Sequence, residues 1–397
     1  MRPIVLRSLS AASCLGTGLR AHSDALLAHH SGLRRCNFET VQLDTYVGET
    51  ADVDRERLPA SMAHFESRNN RLAHRALARD GFREAVAASV SRYGAGRVGV
   101  FLGTSTSGML ETEIAYRTRD PVTGLLPASL NYAGSHNFYS AAAFTRELLG
   151  LEGPAAVIST ACSSSAKVFG MAARMIRLGL IEAAVVGGVD SMCLTTLYGF
   201  HSLQLTSSTP CRPFDAHRDG ISVGEAAAFA LLDTDADVGA HTGVALLGIG
   251  ESSDAYHIST PHPEGLGARM AMQAALAAAQ LEPAAIDYIN LHGTGTVSND
   301  NAEGRAVAAV FGSGTRCSST KGSTGHTLGA AGALEAVICA LAIQRGFMPG
   351  AVNCQQLDPG CAIAYLRRNE PVAPRFVLSN SFGFGGSNCS LVFGALP

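Results

Sequence analysis

Short apolar runs alternate along this chain with longer stretches whose apolar residues recur at helical spacing. Residues 1–35 predict a strand, a glycine-containing loop and a helix capped by Ser23, with Ala25, Leu26 and Leu27 on its apolar face. Residues 36–70 are polar and weakly patterned, and predict loop or extended surface. A helix is predicted over 70–91, a strand over 98–102, a helix after Gly108, a loop over 118–135 and a helix over 136–149. The run 155–158 predicts a short buried strand. Ala166, Val168, Phe169, Ala172, Met175, Ile176 and Leu178 predict an amphipathic helix after it. Strands follow at 183–186, ending in Gly187 and Gly188, and at 225–233. The second half repeats the rhythm: strand 244–250, helix 265–280, strand 288–291, helix 301–311, loop 318–329, helix 330–345, and strands near 363–367 and 375–379. This alternation predicts an α/β fold. The strand-and-turn units 156–166 and 376–388 share a shape, which predicts two like halves packed as one layered unit. The Ala/Asp/Gly/His-rich stretch 233–243 marks the boundary between a half at 1–236 and a half at 243–397.

Composition narrows the class. Of 397 residues, 47% are hydrophobic and only 16% charged, so much of the chain must be buried. With 43 glycines and no Trp, a closely packed α/β enzyme is predicted. A net charge of -3 gives no overall pull toward nucleic acid or an acidic membrane. The ten cysteines lack CxxC spacing, so neither a zinc site nor a disulfide framework is indicated, and a reducing, cytoplasmic setting is expected. Arg7 and Ser8 interrupt the N-terminal apolar run, which reads as a first strand rather than a signal peptide. No run is read as long enough to span a membrane.

The chemistry gathers in a few places. Cys162 falls on the turn between the strand 155–158 and its following helix. A helix N-terminus carries partial positive charge, which favours thiolate near neutral pH, and Ser163, Ser164 and Ser165 are placed to satisfy the first free N–H groups. As one of ten cysteines, Cys162 is equally a small buried hydrophobe. His292 follows a strand directly, with Gly293 and Gly295 leaving the backbone open to a ligand. Lys321 and His326 share a small-residue loop, and Glu335 on the next helix is the nearest partner in sequence for a lysine in so apolar a segment. The glycines of NSFGFGGSN allow N–H groups to converge as an oxyanion hole requires. GISVG at 220–224 fits a serine-hydrolase elbow, but a charged loop precedes Ser222 and a strand-like run follows it, which disfavours that reading.

STACSSS, HGTGT, STKGSTGHTLGAAGALEA and NSFGFGG together resemble the elongating β-ketoacyl-acyl carrier protein synthases. The resemblance takes in RPFDAHRDG and SSDAYH and runs from about residue 98 to the end; the first 95 residues match less well. It implies a thiolase-like αβαβα fold. Cys162 would take an acyl group from a carrier-protein phosphopantetheine. His292 and His326 would stabilise the enolate formed as malonyl-carrier protein loses CO2, and the N–H groups of Cys162 and Phe384 would hold the oxyanion. Lys321 paired with Glu335 would act electrostatically, Thr294 and Thr296 would bind the phosphopantetheine arm, and Phe384 would gate the pocket. Thr106 matches a position that limits the acyl pocket, and a polar residue there implies an unusual acyl chain. The resemblance implies no metal and no enzyme-bound cofactor, phosphopantetheine arriving on acyl carrier protein. The partner is a second copy or a related subunit. VDSMCLTTLYGF and SRNNRLAHRAL are similar to aryl-polyene-type synthases. The thiolase and initiating-synthase sets are disfavoured by His326. A chain-length-factor-like subunit is disfavoured by the intact Cys162, His292 and His326.

Overall fold

A computed structural model describes residues 4–234 and 241–396. Part of the predicted boundary 233–243 therefore lies outside the described residues. The first half runs β1 (Ile4–Ser13), α1 (Leu19–Leu27), α2 (Arg68–Leu77), α3 (Phe82–Tyr93), β2 (Val98–Gly103), α4 (Met109–Arg117), α5 (Ser140–Leu148), β3 (Ala155–Ile158), α6 (Ser164–Arg177), β4 (Ala183–Asp190), α7 (Leu194–Ser202) and β5 (Ala226–Asp233). The second runs β6 (Val244–Ser253), α8 (Leu266–Ala279), β7 (Tyr288–Asn290), α9 (Val297–Phe311), β8 (Arg316–Ser318), α10 (Ala331–Arg345), β9 (Ala364–Tyr365), β10 (Phe376–Gly383) and β11 (Ser387–Ala395).

The strands lie in the order β9-β8-β7-β10-β11-β6-β1-β5-β4-β2-β3. Outward from the β6–β1 seam, each half repeats one plan: its first strand, its last, the one before that, then its second and third. The senses also match, with two antiparallel pairings followed by two parallel ones. This duplication pairs β3 and its turn with β8 and the loop carrying His326. The expected match of 156–166 with 376–388 is therefore incorrect, because 376–388 is the hairpin β10–β11.

Helices α6 and α10 form a central layer shared by both halves; α10 packs on β4 and β5 as well as on β10 and β11. Outside the first half of the sheet, α2, α3 and α5 bury one apolar face, and α8 and α9 do the same for the second. Residues 331–342 of α10 are all buried. Each fully buried Leu, Ile or Val stabilises by about 1.5–3 kcal/mol. Leu328–Arg345 is long and apolar enough to cross a membrane (18 residues, mean hydropathy 1.4), contrary to the expectation from sequence, but it is 83% buried inside the fold.

Other differences are local. Ser23 lies inside α1, whose N-cap is Gly18. The single helix expected at 70–91 is broken by Asp80 and Gly81, both left-handed. Residues 36–67 hold only short turns and ribbons, and the wholly buried Arg68 just beyond them pairs with Glu225 at 2.6 Å. β4 does not end at Gly187 and Gly188. A Cβ on Gly188 would lie 2.5 Å from the Ser165 Cβ and 2.9 Å from the Ala330 Cα, so the bare backbone lets the starts of α6 and α10 press on the strand together. The final strand, β11, was not foreseen.

Candidate active site

Ala161 takes a left-handed backbone (φ 53°) between β3 and α6. That turn sets Cys162 at the positive end of α6. The serines do not cap α6 as expected. Ser163 and Ser164 hydroxyls donate to the carbonyls of Thr160 and Ala161, and Ser164 accepts from the Thr160 N–H. Ser165 accepts instead from the Ala333 N–H of α10 at 2.9 Å. The serines therefore stiffen the turn and tie the two central helices together.

Cys162 Sγ lies 3.0 Å from His326 Nε2. The His326 main chain is clamped by GISVG: its N–H donates to the Ser222 carbonyl and its carbonyl accepts from the Gly224 N–H. Ser222 Oγ accepts from the Cys211 N–H within the core, so no hydrolase elbow exists there. His326 Nδ1 accepts from the Leu328 N–H at 3.3 Å, which puts the proton of the neutral ring on Nε2. His292 stands at 84° to it, ring centroids 5.3 Å apart. Lys321 Nζ is 3.4 Å from His292 Nδ1 and 2.5 Å from the His292 carbonyl. An ammonium can only donate, so His292 also carries its proton on Nε2. Burial, and then the Lys321 charge, hold both imidazoles well below the usual histidine range. The result is two neutral N–H donors.

Lys321 forms the expected buried pair with Glu335, at 2.5 Å. Burial raises the Glu335 carboxyl to about 7 against the opposing pull of Lys321. Phe384 sits in the tight turn of the β10–β11 hairpin, with Gly385 and Gly386 at φ 79° and 72°. Its backbone N–H favours the Cys162 thiolate, and its ring meets Phe200 of α7 at 5.9 Å across the cleft mouth. Thr294 and Thr296 line the same cleft, their hydroxyls 2.9 Å apart, and Thr296 caps α9. Thr106 does not line it. That residue is fully buried, and its N–H and hydroxyl both donate to Asp190, so its polarity serves the scaffold and says nothing of the acyl chain.

The thiolate expected near neutral pH is not what the surroundings favour. Burial pushes the Cys162 thiol up to about 12, outweighing Lys321 and the Phe384 N–H. Alkylation of Cys162, followed by peptide mass spectrometry, is therefore expected to accelerate about tenfold per pH unit between about pH 6 and 10. A plateau near neutrality would show that the helix terminus prevails.

Cys162, His292 and His326 bring ligand-capable atoms within 4.8 Å of one another. A metal-bound imidazole needs a bare nitrogen toward the ion and an acceptor for its other N–H. Here each Nδ1 faces a donor, so the protonated nitrogens are the wrong ones for metal.

Three acidic residues escaped the sequence analysis. Glu303 accepts from the N–H groups of His292 (2.8 Å) and Gly293 (2.7 Å), its carboxyl raised by burial to about 7. Asp300 accepts from the Thr294 and Gly295 N–H groups. Their three-residue spacing on α9, just beyond HGTGT, was a usable signal. Asp190 had none.

A nucleophile and two neutral imidazoles, one set on each half of a duplicated α/β fold, define a carbon–carbon condensing enzyme. Residues 1–237 match the family model "Beta-ketoacyl synthase, N-terminal domain" and 244–355 match "Beta-ketoacyl synthase, C-terminal domain". The chain belongs to the β-ketoacyl synthases, enzymes of fatty acid or polyketide synthesis. It is 34% identical to 3-oxoacyl-[acyl-carrier-protein] synthase 2 of Coxiella burnetii over 98% of both chains. It is 36% identical to Nodulation protein E of Rhizobium leguminosarum bv. trifolii over 77% of each. A ketosynthase in complex with its chain length factor from Xenorhabdus doucetiae superposes with a TM-score of 0.90 at 36% identity, over 99% of this chain and 98% of that one.

Proposed function

We propose that the protein elongates an acyl chain by decarboxylative Claisen condensation, using both donors delivered on the phosphopantetheine of acyl carrier protein. The Cys162 sulfur attacks the incoming thioester, and its proton leaves with the departing phosphopantetheine thiol. Malonyl-carrier protein then enters past Thr294 and Thr296. Its C–C bond breaks to release CO2, and the electron pair becomes an enolate whose oxygen takes the Nε2–H bonds of His292 and His326. The enolate carbon attacks the acyl carbonyl, whose oxygen is held by the N–H groups of Cys162 and Phe384. The Cys162 sulfur leaves, regains a proton from solvent, and 3-oxoacyl-carrier protein departs. Phe384 gates the cleft against Phe200, and Lys321 with Glu335 fixes His292.

The observation that carries this reading is the tautomer pair. A base would need a bare Nε2, whereas stabilising an enolate needs two donors that stay neutral. On this reading the half at 1–236 supplies the nucleophile and the half at 243–397 both histidines. The enzyme works in the cytoplasm, paired with a second copy or a related subunit. The open edge of β3 and the exposed Tyr116, Val122, Leu125 and Tyr132 support that pairing.

The test is intact-protein mass spectrometry after incubation with saturated and polyunsaturated acyl-carrier proteins, with light scattering on the same sample. An acyl adduct on Cys162 in a dimeric species is expected, and its preferred mass names the chain. No adduct from any donor, with or without a co-expressed synthase, would sink the proposal.

A further inference from the structure

Asp190 ends β4 fully buried, and its carboxylate accepts six hydrogen bonds, all from neutral donors. Oδ1 accepts from Thr104 Oγ1 (2.7 Å), Ser105 N–H (2.8 Å), Thr106 N–H (2.9 Å) and Thr106 Oγ1 (3.0 Å). Oδ2 accepts from Ser105 Oγ (2.5 Å) and from the Gly329 N–H (2.6 Å). Five of the six come from one loop of the first half. The sixth comes from the second half, three residues beyond His326.

That sixth bond falls at a strained point. Leu328 has φ 54°, in the left-handed region that a branched side chain disfavours. Gly329 has no room for a side chain, since a Cβ there would lie 2.8 Å from Asp190 Oδ2 and 2.9 Å from the Ser105 N–H. The strained turn points the Leu328 N–H at His326 Nδ1, and the neighbouring N–H, on Gly329, is the one that Asp190 holds. Other contacts of the His326 main chain, to Ser222 and Gly224, fix its backbone but leave the ring's proton unassigned.

We infer that Asp190 is a positioning residue, which acts through Gly329 and Leu328 to keep the His326 proton on Nε2. The inference rests on the reading of His326 as an enolate donor. A carboxylate is suited to the task because it offers only acceptors to the three N–H groups and three hydroxyls that face it. An asparagine would turn an N–H toward at least one of those donors and release the turn, so that both ring tautomers become populated.

The test compares wild type with Asp190→Asn, Asp190→Glu and Ser105→Ala. Ser105→Ala is the milder variant, removing one hydroxyl that touches both Asp190 Oδ2 and the Gly329 N–H. Acyl transfer to Cys162 and decarboxylation of malonyl-carrier protein are timed separately, and the His326 ring nitrogens are followed by NMR on 15N-histidine protein. In Asp190→Asn, decarboxylation is expected to fall about 10–100-fold with acyl transfer changed less than about threefold, and the single Nε2–H signature is expected to become mixed. Ser105→Ala is expected to move both readouts in the same direction by a smaller amount, and Asp190→Glu to restore part of each. An unmixed tautomer in folded Asp190→Asn or Ser105→Ala, or equal losses in both half-reactions, would overturn the inference. If wild type itself decarboxylates nothing, the proposed reaction fails, while the NMR comparison still judges Asp190.

Discussion

Replacing Cys162 by alanine is expected to abolish condensation, lowering it by about 10⁴–10⁶-fold, while decarboxylation of malonyl-carrier protein continues. The two steps use different groups. Sγ is the only atom removed, and the carbon–carbon bond forms only when an acyl group is waiting on it. The Nε2–H donors of His292 and His326 are held by the Leu328 N–H and by Lys321, neither of which depends on the thiol. The side chain is small and 7% exposed, so stability should shift by about 1 kcal/mol at most. Product analysis by mass spectrometry, with CO2 release measured alongside, reads both steps. Loss of the two in parallel would mean that the thiol takes part in decarboxylation.

Lys321→Ala should be the most damaging change to the fold around the site. It leaves Glu335, 4% exposed at its side chain, as a buried charge with no counter-ion. Breaking such a pair by removing one partner costs about 3–5 kcal/mol. The variant also loses the donor that sets the His292 tautomer, so activity should fall about 10²–10³-fold. Burial already lifts Glu335 to about 7 with Lys321 pulling down, so without Lys321 it rises further. A carboxyl raised in the folded state favours folding at low pH and loses that advantage as pH rises through the folded value. The deficit against wild type should therefore shrink on moving from about pH 8 to about pH 5.5 in urea denaturation. A deficit independent of pH would place its origin elsewhere.

Much of this site was legible because its parts are local. A strand, a sharp turn and an amphipathic helix leave a periodic trace, and Cys162, His292 and Lys321–His326 each sit at the end of such a unit. The Lys321–Glu335 pair was legible for another reason, since a lysine in an apolar segment requires an acid nearby. What failed was whatever depends on distant packing. Thr106 reads as a pocket residue until β4 brings Asp190 beneath it. Cys162 reads as a thiolate from its helix alone, and burial by the second half reverses that. NSFGFGGSN hides a hairpin because its partner strand, 387–395, alternates poorly, both of its faces being covered. Asp190 stands alone in sequence and acquires its role only from loops that converge on it from both halves.

The turn around Cys162 is held by Ala161, Ser163, Ser164 and Ser165, whereas the cysteine sulfur faces His326 Nε2 at 3.0 Å. None of the serine hydrogen bonds that shape the turn uses the sulfur. Loss of the sulfur alone therefore ends condensation while the turn, the histidine pair that drives decarboxylation and the open β3 edge all stay in place.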